Sequence, residues 1–172
     1  PARRDTMAAV ALAAAIAAQD DPDAVLAVMP SDHLIREGEA FRAAIRTAAA
    51  AVVKAGIAVI GVTPTEPATG YGYIKPSVKG AVGAVKVTRF VEKPDAEKAH
   101  RLIADGCLWN AGIFCFRAGW LLEALAAIEP DAVLLVREAV QTMRSDLGML
   151  VPGEAFAPVR AISFDHGFME KP

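Results

Sequence analysis

Two short, unbroken apolar runs set the frame for this chain: Ala24 to Met29 (AVLAVM) and Ile57 to Val62 (IAVIGV). Runs of this length without polar alternation are the pattern of strands buried on both faces of a parallel sheet. Between them, residues from about Glu37 to Ala55 read as a helix, with Gly56 as its stop. Strand, helix, strand with short links is a β-α-β unit, and its crossover is right-handed by strong preference. Such a unit commits the chain to a sheet flanked by helices.

The remaining segments fit that architecture. A helix over Thr6 to Gln19, capped by Asp5 or Thr6, is stopped by Asp20-Asp21-Pro22. Arg3-Arg4 ahead of the apolar run Met7 to Ala18 imitates a secretory leader. Asp5 interrupts that basic start and the run is too short to span a bilayer, so a buried helix is the better account. Tyr71 to Lys75 is a short strand, Ser77 to Gly83 a hairpin loop, and Val85 to Glu92 a strand with period-two alternation ended by Pro94. Asp95 caps a helix over Ala96 to Asp105 that Gly106 closes. Trp109 to Gly112 forms a small-residue turn at the head of an apolar strand, Ile113 to Phe116. Helices follow from about Gly119 to Ile128 and Asp131 to Met143. Gly148 to Pro158 is irregular, and Val159 to Phe164 is a last strand-like run with Asp165 at its end. With no internal repeat or low-complexity linker, residues 1–172 read as one α/β domain.

Composition narrows the function. A net charge of −2 gives no basic surface for nucleic acid. Cys107 and Cys115 cannot build a disulfide framework, and as buried thiols they fit a reducing cytoplasm. His33, His100 and His166 lack zinc-ligand spacing. No membrane partner is expected.

Chemistry gathers at strand ends. In open parallel sheets, ligands bind outside the C-terminal ends of strands. Asp32 follows the first apolar run and Asp165 the last, and hard carboxylate oxygens of this kind hold magnesium while phosphate and water complete its shell. The plain alternative for each aspartate is a cap or turn residue. Glu92 and Lys93 are neighbours that a bend at Pro94 would bring to one cleft. Lys93 supplies a point charge for phosphate, while Glu92 and Asn110 offer the acceptors and the donor that sugar hydroxyls need. Gly72, beside Tyr71, permits close approach of a ligand to the backbone. Magnesium, phosphate and polyol together describe a sugar-phosphate nucleotidyltransferase.

Five segments carry a specific resemblance: Val28 to His33, Thr69 to Ile74, Phe90 to Pro94, Trp109 to Phe114, and Ser163 to Lys171. In this order they resemble the mannose-1-phosphate guanylyltransferases, across nearly the whole chain. The resemblance implies a Rossmann-like, mixed and mainly parallel sheet flanked by helices, the nucleotide-diphospho-sugar transferase fold. It also implies the reaction: GTP and mannose 1-phosphate give GDP-mannose and pyrophosphate. Asp32 and Asp165 would hold magnesium as catalytic metal ligands, and Lys93 would grip the sugar phosphate. Tyr71, Gly72, Glu92 and Asn110 would bind the sugar. Arg4-Asp5-Thr6 matches the family's arginine-asparagine-threonine segment near the nucleotide base, with Asp5 a departure. Phe164, His166 and Gly167 also depart, from isoleucine, tyrosine and alanine.

The family's glycine-rich triphosphate loop is absent from these residues, so the fold is expected to be incomplete at the N-terminus and this chain alone inactive. A sheet edge left open in this way favours a homodimer. The chain starts at Pro1 and stops at Met169 to Pro172 within the last matching segment, which reads as a piece of a longer protein. Two alternatives stand beside this reading. One is another sugar-1-phosphate nucleotidyltransferase, such as glucose-1-phosphate thymidylyltransferase; the other is a non-catalytic subunit that binds nucleotide sugar as a signal.

Overall fold

The computed structural model describes residues 2–171, which fall into two compact units: residues 27–116, and residues 2–26 together with 117–171. In chain order the elements are α1 (Asp5–Asp20), β1 (Val25–Val28), α2 (Gly38–Ala55), β2 (Ile57–Val62), β3 (Tyr73–Pro76), β4 (Val87–Val91), α3 (Ala96–Ala104), β5 (Leu108–Arg117), α4 (Ala118–Ala126), α5 (Pro130–Gln141), β6 (Arg144–Asp146) and β7 (Met149–Val151). A 3-10 turn at Glu154–Phe156 and a π-helical turn at Asp165–Met169 follow.

The unit of residues 27–116 is built on β5. This strand pairs antiparallel with β2, from Ile57 opposite Phe116 to Val62 opposite Trp109. It also pairs antiparallel with β3, which in turn pairs antiparallel with β4. β1 and β2 each pair with β5 rather than with one another, so the β-α-β segment does not form a directly bonded parallel pair. Helix α2 turns Ile45, Ala48 and Val52, at helical spacing, onto Cys115, Ala58 and Ile60. Helix α3 seats Ala99 and Leu102 against Tyr73 and Cys107, with Val91, Ile103 and Trp109 packed around them. As expected, Asp95 caps α3: its carboxylate accepts from the Lys98 N–H at 2.7 Å.

Three expectations fail here for physical reasons. β1 is not buried on both faces: Val25 and, just past the strand, Met29 are exposed, because β1 stands at the end of the sheet order with one edge unpaired. Trp109 to Gly112 is not a turn before a strand but part of β5 itself. Between the pairs Gly61–Asn110 and Val59–Phe114, β5 advances four residues while β2 advances two. The surplus is absorbed as a bulge in which Gly112 takes a φ of 65°. Finally, the bend after β4 falls at Lys93, not at Pro94. Lys93 itself adopts a left-handed φ of 39°, which reverses its side-chain direction relative to a continuing strand.

The other unit is a packing of α1, α4 and α5. Met7, Val10, Ala11 and Ala14 of α1, Leu121 and Leu125 of α4, and Val133 and Val136 of α5 are buried. The alanine-rich face of α1 lets the helices approach closely. α1 confirms the helical reading of the first apolar run, but neither Asp5 nor Thr6 is its cap. Arg4 holds that position without a side-chain bond, and Asp5 is the first helical residue with a φ of 60°. Residues 159–163 form no strand. Met7 N–H donates to the Ile162 carbonyl at 3.2 Å, and the Phe164 N–H donates to the Thr6 hydroxyl at 2.8 Å. Single bonds to the start of α1 replace a ladder there, and Asp165 opens the π-helical turn instead of ending a strand. The stretch expected to be irregular contains β7, half of the β6–β7 hairpin. Among the described residues, no helix is long and apolar enough to cross a membrane.

Candidate active site

Residues 27–116 bring four of the expected site residues together. Gly72 lies just before β3 and is buried; its carbonyl accepts from the Asn110 N–H at 2.8 Å. A methyl placed on Gly72 would lie 2.6 Å from Glu92 Oε2, 3.2 Å from Phe90 Cζ and 3.3 Å from Asn110 Cβ. Glu92 thus lies against Gly72, with its side chain only 11% exposed. Its other oxygen, Oε1, lies 3.1 Å from Lys93 Nζ, while the Lys93 side chain is 62% exposed. The left-handed backbone at Lys93 makes this possible, since adjacent strand residues otherwise point to opposite faces. The result is a recessed carboxylate beside an accessible ammonium.

The bulge in β5 orients Asn110. Its Oδ1 accepts from the Gly112 N–H at 3.0 Å, which fixes the amide plane and assigns the other end as donor. A methyl on Gly112 would come 3.6 Å from Pro30 Cγ, so the turn carrying Asp32 runs beside the same bulge. Asp32 is exposed in that turn, four residues beyond the end of β1.

Tyr71 departs from the grouping. Its ring meets Trp109 edge-on, with centroids 5.0 Å apart, and Trp109 alternates with Asn110 to the opposite face of β5. Sequence reasoning missed both Phe90, which walls one side of Gly72, and the Trp109 partner of Tyr71. The alternation of Trp109 with Asn110 was the available signal for the second. Burial pushes the Cys107 thiol up despite a hydrogen bond from Arg89, and burial pushes Cys115 up as well.

Residues 2–26 and 117–171 hold the rest. Arg4 donates from Nε to the Ala157 carbonyl, and Thr6 receives the Phe164 N–H one residue before Asp165. Arg4, Thr6 and the segment leading to Asp165 are therefore neighbours. Asp5 is exposed, and one of its oxygens accepts the Thr6 N–H at 2.7 Å. Downstream, His166 Nδ1 lies 2.7 Å from Glu170 Oε2 across the π-helical turn. Among the described residues, no three His, Cys, Asp or Glu side chains gather as a ready-made metal cage.

Residues 27–116 thus carry a recessed acid and an exposed cation just past the end of β4. The chain belongs to the nucleotidyl transferase family, which it matches over residues 1–155. It is 41% identical over 173 residues to the xanthan biosynthesis protein XanB of Xanthomonas campestris, and 38% identical over 179 residues to the mannose-1-phosphate guanylyltransferase of Escherichia coli. Each alignment covers 99% of this chain and 37% of the relative, so the chain spans well under half the length of these relatives. A solved Thermus thermophilus structure, titled a mannose-1-phosphate geranyltransferase, superposes with a TM-score of 0.85 at 32% identity. It covers 99% of this chain and 48% of that one.

Proposed function

We propose that this chain is the sugar-phosphate-binding part of a mannose-1-phosphate guanylyltransferase, making GDP-mannose and pyrophosphate from GTP and mannose 1-phosphate. The observation that carries the reading is the pairing of recessed Glu92 with exposed Lys93, their charged atoms 3.1 Å apart. One side chain suits sugar hydroxyls, the other the phosphate attached to the same sugar. The name of the Escherichia coli relative, at 38% identity, supports mannose as that sugar.

In this mechanism Lys93 draws the sugar phosphate in by its ammonium, and Glu92 accepts hydrogen bonds from ring hydroxyls. Asn110 donates to a further hydroxyl and fixes the sugar's orientation. A phosphate oxygen so placed attacks the α-phosphorus of GTP. A new P–O bond forms as the bond to the bridging β-phosphate oxygen breaks, and pyrophosphate leaves with that electron pair. Positioning and charge neutralisation suffice for such a transfer, with no covalent help from protein. Asp32 and Asp165 are each a hard-oxygen candidate for magnesium, which would supply charge to offset that of the phosphate oxygens when bound.

The 172 residues contain no glycine-rich phosphate loop, so the decisive measurement is binding. In a thermal-shift panel, GDP-mannose and mannose 1-phosphate should raise the Tm more than dTDP-glucose or UDP-glucose. A stronger shift with dTDP-glucose would move the chain to the thymidylyltransferases.

Asp5 extends the reading to the base. Its exposed carboxylate can accept the N1–H and exocyclic amine of guanine, a donor pair that thymine lacks. An Asp5→Asn variant should therefore lose preference for GTP over dTTP by roughly tenfold, the worth of one charged hydrogen bond. Unchanged relative affinities would remove Asp5 from base selection.

A further inference from the structure

We propose that Gly72 is a positioning residue for Glu92: the missing side chain at position 72 is the seat in which the Glu92 carboxylate rests. The inference builds on the sugar-phosphate reading of this site. A glycine can be required for backbone conformation or for space, and the structure separates the two. Gly72 is not among the glycines with positive φ, so it is not the left-handed backbone that calls for glycine here. Space is what it provides. A methyl there would stand 2.6 Å from Glu92 Oε2, well inside contact distance.

Phe90 Cζ and Asn110 Cβ lie 3.2 Å and 3.3 Å from the same methyl position and close two further sides of the seat. The 2.8 Å bond from the Asn110 N–H to the Gly72 carbonyl holds the backbones together. The two oxygens of Glu92 thus have separate surroundings: Oε2 lies over Gly72, and Oε1 faces Lys93 Nζ at 3.1 Å. To reach ordinary contact with a methyl at position 72, Oε2 would have to move by about 1 Å. A displacement of that size moves an acceptor out of hydrogen-bond range of a bound hydroxyl. Gly70 supplies the contrast. It also lacks a positive φ, and a methyl there would meet nothing within 4 Å.

A size-exchange cycle tests this. Gly72→Ala should lower the Tm by about 5 °C, and Gly70→Ala should change it by no more than about 1 °C. Glu92→Asp draws the carboxylate back by about 1.5 Å, one C–C bond, and opens the seat from the other side. Adding Glu92→Asp to Gly72→Ala should recover most of the lost Tm; strictly additive losses would overturn the proposal. Gly72→Ala should also weaken mannose 1-phosphate binding roughly tenfold while leaving inorganic phosphate binding within about twofold. Equal losses for both ligands, or none for the sugar phosphate, would mean that Gly72 does not position Glu92 for a sugar. If the unaltered chain binds no mannose 1-phosphate, the functional reading falls, and the Tm cycle still decides whether the seat exists.

Discussion

Replacing Lys93 by methionine is expected to weaken mannose 1-phosphate binding by roughly 10- to 100-fold, the range for losing a hydrogen-bonded charge. Methionine keeps an unbranched stem and removes only the ammonium, so any loss of stability should be confined to that of its ion pair with Glu92. Lys93→Arg should recover part of the affinity, since the charge returns on a planar fork instead of a point. Lys93→Gly adds a separate reading. The φ of 39° at this residue is strained for any side chain, so glycine should leave stability unchanged or higher while binding is lost. Isothermal titration with mannose 1-phosphate, beside a thermal melt of each variant, measures both. Full affinity in Lys93→Met would remove the phosphate grip from this residue.

The second large effect concerns the scaffold. Phe116 near the end of β5 is 0% exposed and faces Ile57 across the ladder. Truncation to alanine removes a buried ring and leaves a cavity, at a cost of about 3–5 kcal/mol. For a chain of this size, that corresponds to a Tm lower by about 10 °C. Urea denaturation followed by circular dichroism should show the midpoint moving with the slope unchanged. At low temperature, where the variant remains folded, mannose 1-phosphate affinity should stay close to that of the unaltered chain. The Lys93 variants should show the reverse pattern.

What the sequence revealed followed the range of the forces involved. The bounds of β2 at Ile57–Val62, the end of α2 at Gly56 and the Asp95 cap of α3 match their readings because each depends on residues within a turn of one another, whereas β2 is only half-buried and pairs antiparallel with β5. Residues 159–163 were misread because an apolar run carries no record of its partner. The Ile162 carbonyl and the Phe164 N–H bond instead to Met7 and Thr6 at the start of α1. The bulge in β5 was hidden for the same reason, since it exists only relative to β2. β1 looked like an interior strand because its composition reports apolarity, not how many neighbours it has.

The site divides along the same line. That Gly72, Glu92, Lys93 and Asn110 belong together could be read from residue chemistry and family resemblance. That Glu92 fills the space above Gly72, and that Tyr71 turns to Trp109, could not, because both depend on which atoms meet across strands. The expectation that Pro94 makes the bend was reasonable, because proline is the usual cause. The structure assigns it to the preceding lysine.

That assignment has a consequence for how the ammonium is aimed. Lysine is among the most flexible side chains, and on an ordinary strand its tip would sweep a wide arc. Here the main chain does the pointing before any rotamer is chosen, so the cation works from a fixed mount. Exchanging what the mount carries alters the chemistry; relaxing the mount itself would leave the same charge searching for its target.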